Sequence, residues 1–460
     1  MPSTYKKIIY DTFIILIITA LCVANKRLPC ACRDVANCNY IPKNDEVRKE
    51  VFVLTNGSSN YKDWDWNTVT TVVDEDKHNL DVMCYSHSQH KKYGIIVKLD
   101  DIAAFDDLSS NNTNVTSWLE DFRIKARDTR ADVVILNLMP LVPRLTKNEK
   151  DDRVQIDLFL AKLKRFILAP RDKMDCIVPW KPVRSGNDGS DDSESVSSML
   201  AKSCDRFLLS PDSYAYIEGY GCKARATIPI TKLVLGIDEY VTAGITEERL
   251  IMGIPWHGYS YPCKSFNETT MVCKLNNKDN TSTCDVANRE KVSIDNLLTG
   301  NDIHVLSAEH WNNAYKAPCH VFKKNTSSGP TYHQLWYEDV ESLRIKYQFA
   351  KDMNLKGIAI WTGDDLAKSK VDFVHDFNTE MWSWILHDLL GKGEIRPRGH
   401  AKYYYANTVT GVALGCLFGG MLLGIVFTCI GFRQIRNKKK TPPFAKDLEV
   451  EDYHDDSFNL

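Results

Sequence analysis

The sequence predicts an α/β fold built on a buried parallel sheet, carried between apolar segments near the two ends of the chain. Three observations predict it. Eight short apolar runs, rich in β-branched residues, recur along the middle of the 460-residue chain. Longer charged stretches with helix-compatible composition separate them. Most of the runs are continuously apolar rather than alternating, as strands covered on both faces are.

In order, the runs are 50–54 (EVFVL), 68–73 (TVTTVV), 94–99 (GIIVKL), 132–138 (DVVILNL), 176–180 (CIVPW), 207–210 (FLLS), 250–256 (LIMGIPW) and 357–361 (GIAIW). Composition by itself does not separate a closed barrel from an open sheet. A long cysteine-bearing stretch, 258–332, intervenes between the seventh and eighth runs. Segment 185–198 (SGNDGSDDSESVSS) is polar and acidic, without an apolar period, and is predicted to be a surface loop.

The ends predict a single-pass type I membrane protein. Lys6 and Lys7 precede an apolar run at 13–24, which reads as a signal peptide over 1–24, cleaved after Ala24. Residues 408–432 carry no charge and are long enough to cross a hydrocarbon core of about 30 Å. Arg433, Arg436 and Lys438 to Lys440 follow, which favours a cytosolic tail at 433–460. The ectodomain, 25–392, and a stalk, 393–407, then lie outside the cell or in the lumen of the endolysosomal or secretory pathway. Gly411, Gly415 and Gly419 form a GxxxG repeat that supports close approach of two spans, and hence a homodimer.

Charge and cysteines narrow the class further. Lys and Arg total 58 against 60 Asp and Glu, which argues against a nucleic-acid partner. Of 14 cysteines, Cys22, Cys416 and Cys429 fall in the apolar segments. The other eleven are Cys30, Cys32, Cys38, Cys84, Cys176, Cys204, Cys222, Cys263, Cys273, Cys284 and Cys319, an odd number that points to disulfides plus one unpaired thiol. Sequons at Asn56, Asn111, Asn114, Asn267, Asn280 and Asn325 all lie on the expected luminal side. No His/Cys/Asp cluster has zinc spacing, and neither metal nor cofactor is expected.

Seven segments carry a resemblance. They are CACRDVANC (30–38), EVFVLTNG (50–57), DWNTVTTV (65–72), DVMCYSHS (81–88), IMGIPWHGYSYPC (251–263), HQLWYEDVESLRIKY (333–347) and GIAIWTGDDL (357–366). Spread in order over 30–389, they resemble the chitobiase-like branch of glycoside hydrolase family 18. The resemblance implies a (β/α)8 TIM barrel with its site at the C-terminal ends of the strands, and a small insertion between strands 7 and 8 that walls the cleft. It also implies substrate-assisted chemistry. A glutamate protonates the leaving oxygen, while the sugar's own N-acetyl carbonyl attacks the anomeric carbon beside an orienting aspartate.

That family's motif is DGxxxDxE. In this chain its positions hold Asp132, Val133, Asn137 and Met139. A methionine has no proton to give, and an asparagine cannot supply the charge that favours an oxazolinium ion. Val133 adds a side chain where glycine let the backbone approach. The next carboxylates, Glu149 and Asp151, come ten or more residues later. Efficient hydrolysis by the family route is therefore not expected.

Other sugar-contacting positions are retained by resemblance. Trp361 matches the tryptophan beneath the −1 sugar, and Asp212 matches the aspartate after strand 6, although Pro211 replaces a tyrosine. Trp180, Trp256, Tyr259, Gln334 and Trp336 complete the candidate ligand-binding set, with core packing as the competing role for the tryptophans. The family also implies a partner for Cys204 just upstream, which segment 185–198 lacks. Three readings remain open: an inactive binder of an N-acetylglucosamine-containing glycan or of an extracellular protein, an active chitobiose-type glycosidase, and a structural or adhesive ectodomain.

Overall fold

The computed structural model describes residues 49–57, 59–75, 79–97, 113–142, 145, 150–167, 174–183, 193–213, 222–276, 288–299, 309–326, 329–366 and 372–392. All eight apolar runs become strands of one closed parallel barrel. The first seven are β1 (Glu50–Thr55), β2 (Thr71–Asp74), β3 (Lys92–Val97), β4 (Val133–Asn137), β5 (Met174–Pro179), β6 (Arg206–Ser210) and β7 (Leu250–Pro255). An insertion follows, with β8 (His257–Pro262), β9 (Ser265–Asn267), β10 (Val272–Lys274), β11 (Glu290–Ser293), β12 (His310–Asn312), β13 (Ala317–Thr326) and β14 (Gly329–Trp336). Then β15 (Gly357–Trp361) closes the barrel between β7 and β1. β2 starts three residues later than the run it comes from. Asp65 accepts from the Thr68 amide and hydroxyl, which spends the start of that run on a turn.

Alternation of side chains decides what each strand residue meets. Outward positions such as Val53, Ile95, Leu136 and Met252 join the large core beneath the helices. Inward positions, among them Phe52, Ile96, Val133, Ile135, Leu208 and Trp361, form a separate cluster that fills the barrel. At the N-terminal end of the strands the filling is ionic. Arg206 binds Asp175 through Nε (2.8 Å) and Nη2 (2.5 Å), binds Glu50 as well, and lies 5.0 Å over the Phe52 ring. Glu50, Asp175 and Arg206 are all buried.

Around the barrel pack α1 (Leu80–Ser88), α2 (Thr113–Asp128), α3 (Lys150–Ile167), α4 (Ser193–Ser203), α5 (Ile230–Thr242), α7 (Val340–Asp352) and α8 (Asp372–Trp384), with a short α6 (Ile294–Thr299) after β11. The Asn79 side chain caps α1, and Asp339 with Ser342 forms a capping box on α7. The insertion is a five-stranded antiparallel sheet, ordered β11-β8-β14-β13-β12, plus the β9–β10 hairpin. It occupies the predicted place but begins at His257, one residue before the predicted bound, and ends at Trp336, four residues after it.

Two expectations are corrected. Segment 185–198 is not loop throughout, because α4 begins at Ser193 and buries Val196 and Ser197. Val196, Met199 and Leu200 are an i, i+3, i+4 apolar face, which the polar residues before them masked. Cys204 does not lack a partner. It pairs with Cys176 (Cα–Cα 5.8 Å), because β5 and β6 are neighbours and Cys204 enters β6 beside Cys176. Cys263 pairs with Cys273, and Cys84 and Cys222 are also disulfide-bonded. Among the described residues the free cysteine is Cys319, buried in the insertion. Cys30, Cys32, Cys38 and Cys284 lie outside the described residues, as do the predicted signal, stalk, span and tail. Among the described residues no helix is long and apolar enough to cross a membrane. Asn56 and Asn267 are exposed. Asn111 and Asn280, and the side chains of Asn114 and Asn325, are outside the description.

Candidate functional site

The four motif positions are split between the ends of β4. Asp132, just before the strand, accepts the Tyr93 amide (2.9 Å) and contacts the buried His87 Nε2 (2.9 Å). It fastens the N-terminal end of the barrel. Val133 points inward and is buried among the barrel-filling side chains. The facing β3 residue is Gly94, where a Cβ would lie in ordinary contact with Val133 Cβ, at 3.5 Å.

Asn137 ends β4 at the mouth. Its Oδ1 accepts the Met139 amide (3.1 Å) and starts a 3-10 turn, Met139–Leu141, reinforced by Pro140. Met139 is half-buried against the barrel-filling cluster that contains Trp361. The end of β4 thus presents an apolar side chain at this position. Glu149 and the side chain of Asp151 lie outside the described residues.

Carboxylates described at the mouth include Asp212, Asp364 and Asp365, and these three are already engaged. Asp364 accepts from the Thr55 hydroxyl (3.0 Å) and the Asn56 amide (2.6 Å). Asp212 Oδ1 accepts from Tyr259 Oη (2.9 Å) and His257 Nε2 (3.2 Å). Asp365 Oδ2 accepts from Lys291 Nζ (2.8 Å), the Thr362 amide (3.1 Å) and the Thr362 hydroxyl (2.9 Å), and lies 3.4 Å from His257 Nδ1. Burial would raise the pKa of Asp212, but His257, Tyr259 and Arg289 hold it below the usual carboxylate value. In Asp365 burial is likewise outweighed by His257 and Lys291, which bring it down to about 2. Both remain ionised, able to accept a hydrogen bond and unable to protonate a leaving group.

Of the predicted ligand-binding set, Trp361, Asp212 and Tyr259 come together at the mouth. Trp361 ends β15 in the barrel-filling cluster, and its backbone carbonyl accepts from Trp256 N (2.8 Å) and His257 Nδ1 (2.9 Å). Tyr259 lies beneath the Arg289 guanidinium, 3.8 Å from its ring centroid.

The other four residues of the set are buried. Trp180 follows an inward proline and so turns outward, against α5, where a Cβ on Gly236 would lie 2.6 Å from its ring. Trp256 is fully buried under α7 and α8, donating to Tyr347 Oη (3.2 Å) and standing edge-on to Trp382. Gln334 donates to the Met271 carbonyl (2.9 Å) within the insertion. Trp336 pairs with Tyr259 across β14 and β8 and fills the insertion's core beside Tyr315. Conversely, His257, Lys291, Arg289 and Asp365 were not anticipated. His257 and Asp365 lie inside the segments WHGYSYPC and WTGDDL, where buried charge leaves no periodic signal.

Comparison with known proteins agrees with this architecture. Residues 221–365 match the family model of the glycosyl hydrolases family 18. The chain is also similar to di-N-acetylchitobiases. It is 26% identical over 370 residues to the rat protein, covering 80% of this chain and 93% of that one. It is 24% identical to the human protein over 78% and 89% of the two chains. A probable di-N-acetylchitobiase 1 of Dictyostelium discoideum is 25% identical over 80% and 95%. Among solved structures, a family 18 chitinase from Cycas revoluta, in complex with (GlcNAc)3, superposes with a TM-score of 0.51 at 13% identity, over 73% of this chain and 99% of that one. The C-terminal domain of a chitinase-like protein from Desulfitobacterium hafniense gives 0.53 at 13% identity over 74% and 99%. At such identity the structures speak for the barrel alone.

Proposed function

We propose that this protein is a membrane-anchored, chitobiase-like family 18 barrel that binds N-acetylglucosamine-containing glycans without hydrolysing them. One observation carries the reading: Met139, at the end of β4, packs its thioether into the mouth where the acid would stand. In this reading Trp361 supplies an apolar surface, and Asp212 and Tyr259 supply polar partners. That combination suits a sugar, which has one apolar face and a ring of hydroxyls. Anchoring rests on 408–432 as a span, with the barrel on the extracellular or luminal side.

The test is turnover of a fluorogenic N-acetylglucosamine oligomer by the protein and by the variant Met139→Glu, Asn137→Asp, Val133→Gly. The parent is expected to be silent. The variant should gain roughly 10²- to 10⁴-fold over background, the usual worth of a general acid. Turnover by the parent that cleft substitutions abolish would establish an active glycosidase instead. Failure of chitotriose to bind would favour a protein partner or a structural role.

A further inference from the structure

His257 is fully buried at the junction of three adjacent barrel strands. It opens β8, with only Trp256 between it and β7. Its Nε2 meets Asp212, in the turn after β6, and its Nδ1 meets the Trp361 carbonyl and Asp365, at the exit of β15. A backbone carbonyl only accepts, and so does an ionised carboxylate. Each ring nitrogen therefore faces an acceptor, and the geometry is satisfied only when both carry protons. A neutral imidazole would set a lone pair against one of those oxygens, away from water, where an unmade hydrogen bond is costly.

We propose that His257 is a proton-dependent positioning residue, whose doubly protonated ring clasps the exits of β6, β7 and β15 and so holds the cleft in its glycan-binding form. The inference rests on the glycan-binding reading above. The ring fixes the two mouth groups a sugar would meet, Trp361 through its carbonyl and Asp212 through its carboxylate. Through Asp365 and Lys291 it also ties β11 of the insertion to the barrel.

The charges around the ring favour the proton. Asp212 and Asp365 face it directly, and Glu338, itself paired with Lys346 (2.6 Å), lies behind it. Lys291 opposes, and Arg289 stands off over Tyr259, whose ring meets the imidazole edge-on at 5.1 Å. Burial would lower the histidine's pKa, but the bonds to Asp212 and Asp365 carry it above its usual value. A raised folded pKa fixes the sign. The contribution is complete below the unfolded value of about 6.5 and is lost as pH rises through the folded one.

The experiment measures calorimetric affinity of the full chain in detergent for tri-N-acetylchitotriose from pH 5 to 9.5, with melting temperature followed in parallel. The dissociation constant should be flat at low pH, then rise about tenfold per pH unit above a knee, because only the protonated form binds. Asp365→Asn removes one counter-charge and should move the knee to lower pH. His257→Gln should bind more weakly, with no knee. Its melting-temperature deficit should shrink as pH rises through the wild-type knee. Superimposable pH profiles for wild type and His257→Gln, or an unmoved knee in Asp365→Asn, overturn the inference. If chitotriose binds at no pH, the glycan reading fails. The melting series then decides the clasp separately: a constant deficit across pH refutes it, and a shrinking one retains it. Should His257→Gln not fold, the melting profile of Asp365→Asn carries the same decision through its knee.

Discussion

Replacing Arg206 with methionine tests whether the charges at the N-terminal end of the barrel act as one unit. The guanidinium makes bonds of 2.8 Å and 2.5 Å to Asp175 and also binds Glu50, with all three side chains buried. The partners feel this unequally. Arg206 is held above its usual pKa by the two carboxylates despite burial, whereas in Asp175 burial outweighs the guanidinium and raises the pKa. Methionine fills most of the volume but leaves two carboxyls facing each other without a counter-charge. Breaking a buried pair in this way costs about 3–5 kcal/mol, roughly a fifth or more of the stability of a typical domain. The loss should depend on pH. Burial already raises the pKa of Asp175, and the variant removes its counter-charge, so the folded state takes up a proton there as pH falls. The deficit is therefore full near pH 7 and shrinks toward pH 5. Urea unfolding followed by tryptophan fluorescence at both pH values measures it. A deficit under about 1 kcal/mol at pH 7, or an equal one at pH 5, would refute the reasoning.

Two further predictions concern packing and the free thiol. Gly236→Ala would gain about 1 kcal/mol in an open helix. Here the new Cβ would lie 2.5 Å from the Trp180 carbonyl and 2.6 Å from its ring, so the melting temperature should fall, and an unchanged or higher value would show that Trp180 does not pack there. Cys319 is buried, and burial pushes its thiol up to about 12. Native protein at pH 8 should leave this cysteine unlabelled by a thiol reagent while urea-unfolded chain labels it, as read by peptide mass spectrometry. Rapid native labelling would contradict its burial.

Much of the architecture was legible because strands covered on both faces must be apolar nearly throughout. All eight runs announced themselves for that reason, and seven ordered segments of resemblance implied their closure into a barrel. Met139 was legible as a side chain with no proton to give, since that depends on residue identity alone. The tryptophans were not. Trp180 and Trp256 directly follow β5 and β7 and Trp361 ends β15, yet only Trp361 takes the inward position, while the other two fall on outward positions beneath helices. A shift of one residue along a strand reverses the face, and composition does not encode that shift.

The sequence by itself determined the α/β class, the eight barrel strands and the identity of Met139. The first two follow from local periodicity, and the third is a side chain with no proton to donate. Only the tertiary structure decided that Cys204 meets Cys176, that Glu50, Asp175 and Arg206 share one charge cluster, and that Asp212, His257 and Asp365 meet at the mouth. Those residues are 28 to more than a hundred positions apart along the chain. Barrel closure puts β15 between β7 and β1, and pairings of that kind follow from the order of strands in space, which no local pattern records.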